Sequence, residues 1–181
     1  MRLKHFSLYL LFFFSLNIIS QEMKEGFKYL ETGKYKKAAF FFNQILKTYP
    51  KNKTARLCYG RAVGLSGESA KSIQLFTRLL QDYPSDFEVK LNYAEALLWN
   101  TNFLKAKKYY EKLIKENSTS FSALLGYANT LSNLKEFTNA LIYVDKALII
   151  LPGNQNALVS RKYIRLGLAN EKVSNQKYDE A

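Results

Sequence analysis

Apolar side chains along this chain recur at steps of three and four, break off, and then resume. Ala38, Ala39, Phe42, Ile45, Leu46 and Tyr49 form one such stripe, and Ala106, Tyr109, Tyr110, Leu113 and Ile114 form another. That spacing lines one face of an α-helix, whereas a half-buried strand alternates at every second residue. No segment of strand length alternates strictly. The stripes are themselves periodic: Pro50, Pro84, Ser118 and Pro152 stand 34 residues apart. With copies starting at Ile19, Lys53, Phe87 and Phe121, position 8 reads Gly26, Gly60, Ala94, Ala128, and position 20 reads Ala38, Ser72, Ala106, Ala140. Position 24 is Phe42, Phe76, Tyr110, Val144, and position 27 is Ile45, Leu79, Leu113, Ala147. A fixed period of this length marks a stacked-repeat architecture, so function is sought on a repeating surface rather than in one pocket.

Within each copy the pattern predicts two helices. The first spans positions 1 to 14, and a turn at positions 15 and 16 contains Gly33, Gly67, Thr101 or Lys135. The second opens near position 17 at Tyr35, Ser69, Phe103 and Phe137 and ends by the proline column, since proline cannot continue a helix interior. Gly33 and Gly67 suit a left-handed helix stop. Ser85 and Asp86 are N-cap candidates for the third copy and Ser120 for the fourth.

These columns resemble the tetratricopeptide repeat family over about residues 19–152: small residues at positions 8 and 20, a bulky one at 24, and proline at 32. The resemblance implies an all-α fold, an α-solenoid of about four helix-turn-helix repeats with a C-terminal capping helix. Glu25 at position 7 of the first copy and Ser69 at position 17 of the second depart from the pattern, so the first copy reads as a frayed cap. Beyond Pro152 the register is expected to fail. Residues 154–169 read as a capping helix, with Ala157, Leu158, Tyr163, Ile164 and Leu168 on its apolar stripe and a polar outer face. The ending at residues 176–181 resembles the opening of another second helix. The expected organisation is a leader at 1–20, four repeats at 21–152, and a capping helix with a partial fifth repeat at 153–181.

The first twenty residues are of a different kind. Arg2, Lys4 and His5 precede the apolar run from Phe6 to Leu16, the layout of a secretory signal peptide with cleavage expected after Ser20. The run is shorter than the ~20 residues a membrane-spanning helix needs, and an uncleaved anchor is the alternative. The protein is therefore expected to be exported, to the periplasm or to an association with the outer membrane. A leader followed by these repeats also resembles the front part of certain outer-membrane proteins in which a β-barrel follows. Abundant Lys, Asn, Ile, Phe and Tyr fit an AT-rich bacterial genome.

Chemistry is sparse. The formal net charge is +12, and removing Arg2 and Lys4 with the leader lowers it to +10. The same cut removes His5, the one histidine, so histidine-based triads and histidine-containing zinc sites are not available to the processed chain. Cys58, the single cysteine, can form no intramolecular disulfide and reads as a small apolar filler. The glycines mark repeat positions rather than a phosphate loop. No enzyme activity, cofactor or metal is expected.

What remains is a surface. The family resemblance implies that the first helices line a concave face, with partner contacts at positions 2, 5, 6, 9, 12 and 13. Carried onto this chain, the expected partner-binding residues are Lys24, Phe27, Leu57, Arg61, Leu91, Asn92, Glu95, Trp99, Leu125, Asn129 and Asn133, and the extra helix adds Tyr163. Apolar groups mixed with amides and charges suit an extended peptide or a partner helix. The expected function is a non-enzymatic scaffold of the bacterial cell envelope, whose protein or peptide partner belongs to an outer-membrane or envelope complex. No nucleic acid is expected. The alternative is a peripheral module that docks on anionic polymer or lipid through its positive charge.

Overall fold

The computed structural model describes residues 21–179. The expected leader lies outside the described residues. Among these residues every regular element is an α-helix: α1 (residues 21–31), α2 (Tyr35–Thr48), α3 (Lys53–Leu65), α4 (Ser69–Asp82), α5 (Phe87–Trp99), α6 (Phe103–Glu116), α7 (Phe121–Asn133), α8 (Phe137–Ile150) and α9 (Gln155–Asp179). Each of α2, α4, α6 and α8 begins at the residue the repeat register names. The chain divides into two units, one ending at Asp82 and the other beginning at Tyr83. The fold is all-α and of the α-solenoid class.

The turns repeat as faithfully as the helices. Gly33, Gly67, Thr101 and Lys135 all adopt positive φ, at 71°, 99°, 57° and 63°. After each, a backbone N–H reaches back five residues, as from Lys34 to Tyr29 at 2.8 Å and from Glu136 to Leu131 at 2.9 Å. This closure satisfies carbonyls the helix end would otherwise orphan. Glycine enters the left-handed region freely, whereas Thr101 and Lys135 do so at a cost of roughly 1–2 kcal/mol each. The helix pairs that follow them must offset that cost.

First helices start on side-chain caps. Asn52, Asp86, Ser120 and Asn154 each accept a hydrogen bond from the backbone N–H three residues on, over 3.0 to 3.3 Å. Asp86 and Ser120 take the expected role, while Ser85 does not. These caps stand 34 residues apart, so the register continues past Pro152 into the start of α9. It is lost one helix later: Ala169, at the position of Lys135, stays helical, and α9 runs unbroken to Asp179. No turn separates the capping helix from residues 176–179, where the sequence resembles a further second helix. The stretch after Ala169 has few apolar side chains, so little burial is on offer to offset a left-handed turn there.

The core follows the columns. Positions 20, 24 and 27 are at most 1% exposed in every copy. In the first unit Ala38, Phe42, Ile45, Ala55, Cys58 and Ala62 form one cluster, flanked by Met23, Tyr29 and Leu30. Small residues at position 8 make room for position 24. A methyl group added at Gly26 would lie 2.7 Å from Phe42 Cζ, and one at Gly60 the same distance from Phe76 Cζ. In the second unit the Tyr110 ring occupies the space beside Gly126.

Candidate functional site: the first-helix face

The expected partner-binding residues fall into three groups by exposure. Lys24, Phe27, Arg61 and Asn133 are exposed. Leu91, Glu95, Trp99, Leu125 and Asn129 are half-buried. Leu57 and Asn92, expected on the binding face, are instead buried at 4% exposure each. Leu57 is apolar and gains by leaving water. Asn92 tolerates burial because its Nδ2 donates to the Glu88 carbonyl one turn back, at 2.7 Å. Its Oδ1 is enclosed with no hydrogen-bond partner among the described residues.

In the first unit Phe27 stands edge-on to Phe42, with ring centroids 5.6 Å apart, so its ring is anchored on the core while one edge meets solvent. Arg61 projects from α3 and carries no ion pair among the described salt bridges, whereas Arg56 one turn earlier pairs with Asp82 at 2.6 Å. In the second unit α5 packs beside α7, and α7 beside α9. The first helices there form one layer, and equivalent repeat positions stand next to each other. Asn133 Nδ2 is held by the Asn129 carbonyl at 2.8 Å, which leaves its own carbonyl oxygen open to a partner.

α9 departs from expectation. Tyr163, expected both on its apolar stripe and among the partner-binding residues, is 65% exposed, which fits the second role and not the first. It lies one residue, about 100° of helix rotation, from the buried Ile164. Val159, Leu166 and Val173 are exposed as well, among the exposed Lys162, Arg165, Glu171 and Lys172, so the outer face of this helix is mixed rather than wholly polar. With Gln155 as position 1, Val159, Tyr163 and Leu166 fall on positions 5, 9 and 12, the contact positions carried onto the earlier copies. Val159 and Leu166 lie beyond Pro152, where the sequence pattern alone suggests that the register ends. Asn154, in step with Asn52, was the signal that it does not.

Side-chain chemistry elsewhere is structural. Tyr110 is fully buried, and burial first, then the Glu95 carboxylate, push its phenol well above the usual tyrosine range. Burial also raises Tyr127, as does its hydrogen bond to Glu111 at 3.0 Å. Hydrogen bonding to Tyr93 raises the Lys105 ammonium. Among the described residues no group of three or more His, Cys, Asp and Glu side chains is placed to hold a metal ion. No described helix is long and apolar enough to cross a membrane.

A tetratricopeptide repeat model matches residues 91–155 and a second matches residues 24–52, together a little over half of the chain. No curated protein matches the chain. Among solved structures, a thermophilic tetratricopeptide repeat protein of Thermus thermophilus is 15% identical, with a TM-score of 0.76 over 90% of this chain and 89% of that one. The first tetratricopeptide domain of the human RPAP3 protein is 18% identical, with a TM-score of 0.62 over 69% of this chain and 98% of that one. A MamA protein is 19% identical, with a TM-score of 0.60 over 88% of each. At these identities the likeness is one of fold. Domains of this fold generally bind protein or peptide partners and are non-catalytic scaffolds. By its repeat register, its left-handed turns and the two family matches, the chain belongs to the tetratricopeptide repeat family.

Proposed function

We propose that this protein is an exported, non-enzymatic scaffold of the bacterial cell envelope that holds a peptide or partner helix on its first-helix face. The observation that carries the reading is the run of exposed Val159, Tyr163 and Leu166 on α9 beside half-buried Leu125 and Asn129 on α7. An isolated exposed leucine is ordinary, but Leu125 and Val159 share position 5 on adjacent helices, with Tyr163 and Leu166 on the next turns of α9, which supports a binding surface. Trp99 on α5 supplies an aromatic of the type that anchors interfaces, and the amides of Asn129 and Asn133 can meet a peptide backbone. Arg61, in the first unit, offers a fork-shaped donor set for a carboxylate. The apolar run at residues 6–16 after a cationic start supports export.

The test is crosslinking capture from the envelope fraction, with fractionation to show that the processed chain is there. Trp99→Ala combined with Arg61→Ala should weaken capture while circular dichroism shows unchanged helicity. Undiminished capture would mean that the first-helix face has been misassigned.

A further inference from the structure

The second helices of residues 83–181 present a different face, and its composition is unusual. On α6, Lys105, Lys108, Lys112 and Lys115 follow steps of three, four and three, so they form one line along the helix. At 1.5 Å per residue the line is about 15 Å long. All four are exposed.

The carboxylates that would normally neutralise such a line point elsewhere. Glu111 accepts the Tyr127 hydroxyl at 3.0 Å, and Glu116 pairs with Lys90 on α5 at 2.8 Å. Lys107, off the line, is the α6 lysine that binds Glu136, at 2.7 Å. Among the described residues no salt bridge reaches the four. Instead Lys105 sits over the Tyr93 ring at 5.4 Å and Lys112 over the Tyr109 ring at 6.0 Å. Aromatic faces hold these ammonium groups in place without cancelling their charge.

The same four repeat positions on α8 read Asn139, Ile142, Lys146 and Ile149. Ile149 is 78% exposed, the highest value among the described large apolar residues, and Ile142 is 48% exposed. On α6, Leu104, one turn before Lys108, is 69% exposed. Equivalent positions of α6 and α8 thus carry a line of lysines without ion pairs and protruding aliphatic side chains.

We infer that this second-helix face docks on an anionic lipid bilayer, with the lysines at the headgroup phosphates and Leu104, Ile142 and Ile149 at the acyl boundary. A bilayer surface offers both partners at once, negative phosphate above and hydrocarbon below. A nucleic acid would leave the isoleucines against phosphate and sugar. Its usual reader, arginine, is missing from these positions, and Tyr93 and Tyr109 lie beneath lysines rather than open for base stacking. An acidic protein would satisfy the charge but gives no reason for isoleucines at positions where α6 has lysine. The face is separate from the first-helix surface, so failure here leaves the scaffold reading untouched.

The experiment uses the full chain with Cys58→Ser and a polarity-sensitive dye on a cysteine introduced by Ile149→Cys. A second labelled chain carries Asn133→Cys, on the first-helix face. Phosphatidylcholine vesicles with phosphatidylglycerol should shift the dye at position 149 to the blue, and pure phosphatidylcholine vesicles should not. The dye at position 133 should stay unmoved. Lys108→Gln, Lys112→Gln and Lys115→Gln together should weaken the response by roughly a hundred-fold, about five-fold per lysine. Co-sedimentation with an unshifted dye at 149 would overturn the inference by assigning the contact to the apolar N-terminal segment. An undiminished response in the triple glutamine variant would overturn it too, as would equal binding of soluble heparin with no blue shift. All three lysines are exposed, and circular dichroism checks that each variant retains its helicity.

Discussion

Inside the α3–α4 pair, the Ser72 hydroxyl donates to the Gly60 carbonyl at 2.8 Å, and both residues are buried. Position 20 touches position 8 there through a hydrogen bond, where the other copies have Ala38, Ala106 and Ala140. The contact leaves room for one small side chain on each helix. Ser72→Ala should therefore cost only about 0.5–1.5 kcal/mol in urea unfolding, the net worth of one hydrogen bond. Ala106→Leu forces three extra carbons into the equivalent contact and should cost about 1–3 kcal/mol. If Ala106→Leu is neutral, the helices of that pair are not in close contact.

Gly126 tests packing between repeats. A methyl group there would run into the ring and hydroxyl of Tyr110, which is fully buried and cannot swing into solvent. Alanine is favoured over glycine in a helix by about 0.8–1 kcal/mol, yet overpacking at about 1–3 kcal/mol should win, for a net loss of up to about 2 kcal/mol. Gly153→Ala is the control. Beyond the neighbouring residues of the chain no atom lies within 4 Å of the added carbon, and the backbone is not left-handed, so that variant should be neutral or slightly stabilised.

Tyr110 should gain from losing its hydroxyl. The phenol oxygen is buried and makes no hydrogen bond among the described residues, so the folded state bears its desolvation. Tyr110→Phe keeps the ring and should raise stability by about 1 kcal/mol, read as an upward shift in thermal midpoint. A fall would mean that the hydroxyl has a partner in solution.

Tyr127 predicts an alkaline weakness. Folding raises its pKa, so the native chain holds this proton more tightly than the unfolded chain. The resulting stabilisation is complete below the ordinary tyrosine value of about 10 and is lost as pH rises through the higher folded value. Above pH ~10, Tyr127→Phe should flatten the fall in stability by at most about 1.4 kcal/mol per pH unit, the slope for one proton. Identical slopes in urea titrations of the two proteins would mean that Tyr127 ionises freely in the fold.

Much of this fold is legible in the amino-acid sequence. The starts of α2, α4, α6 and α8, the places of the four turns, and the buried columns at positions 20, 24 and 27 all follow from a 34-residue period, because each copy repeats the same local contacts. The candidate surface was less legible. Leu57 and Leu125 share position 5, yet one is buried and the other half-buried, and Asn92 hides an amide that reads as polar surface. Periodicity names the face of a helix but not what covers it.

By itself the sequence determined the helix pairs from Tyr35 to Ile150, the turns between them, and which small and bulky side chains meet. Those are short-range matters of spacing, backbone freedom and volume. Tertiary structure alone decided that α9 continues through Ala169, that Tyr163 and Leu166 face outward, and that Glu111 and Glu116 turn away from the lysine line of α6. Each of those outcomes depends on whether a neighbouring helix is present to offset a turn, bury a ring or attract a carboxylate.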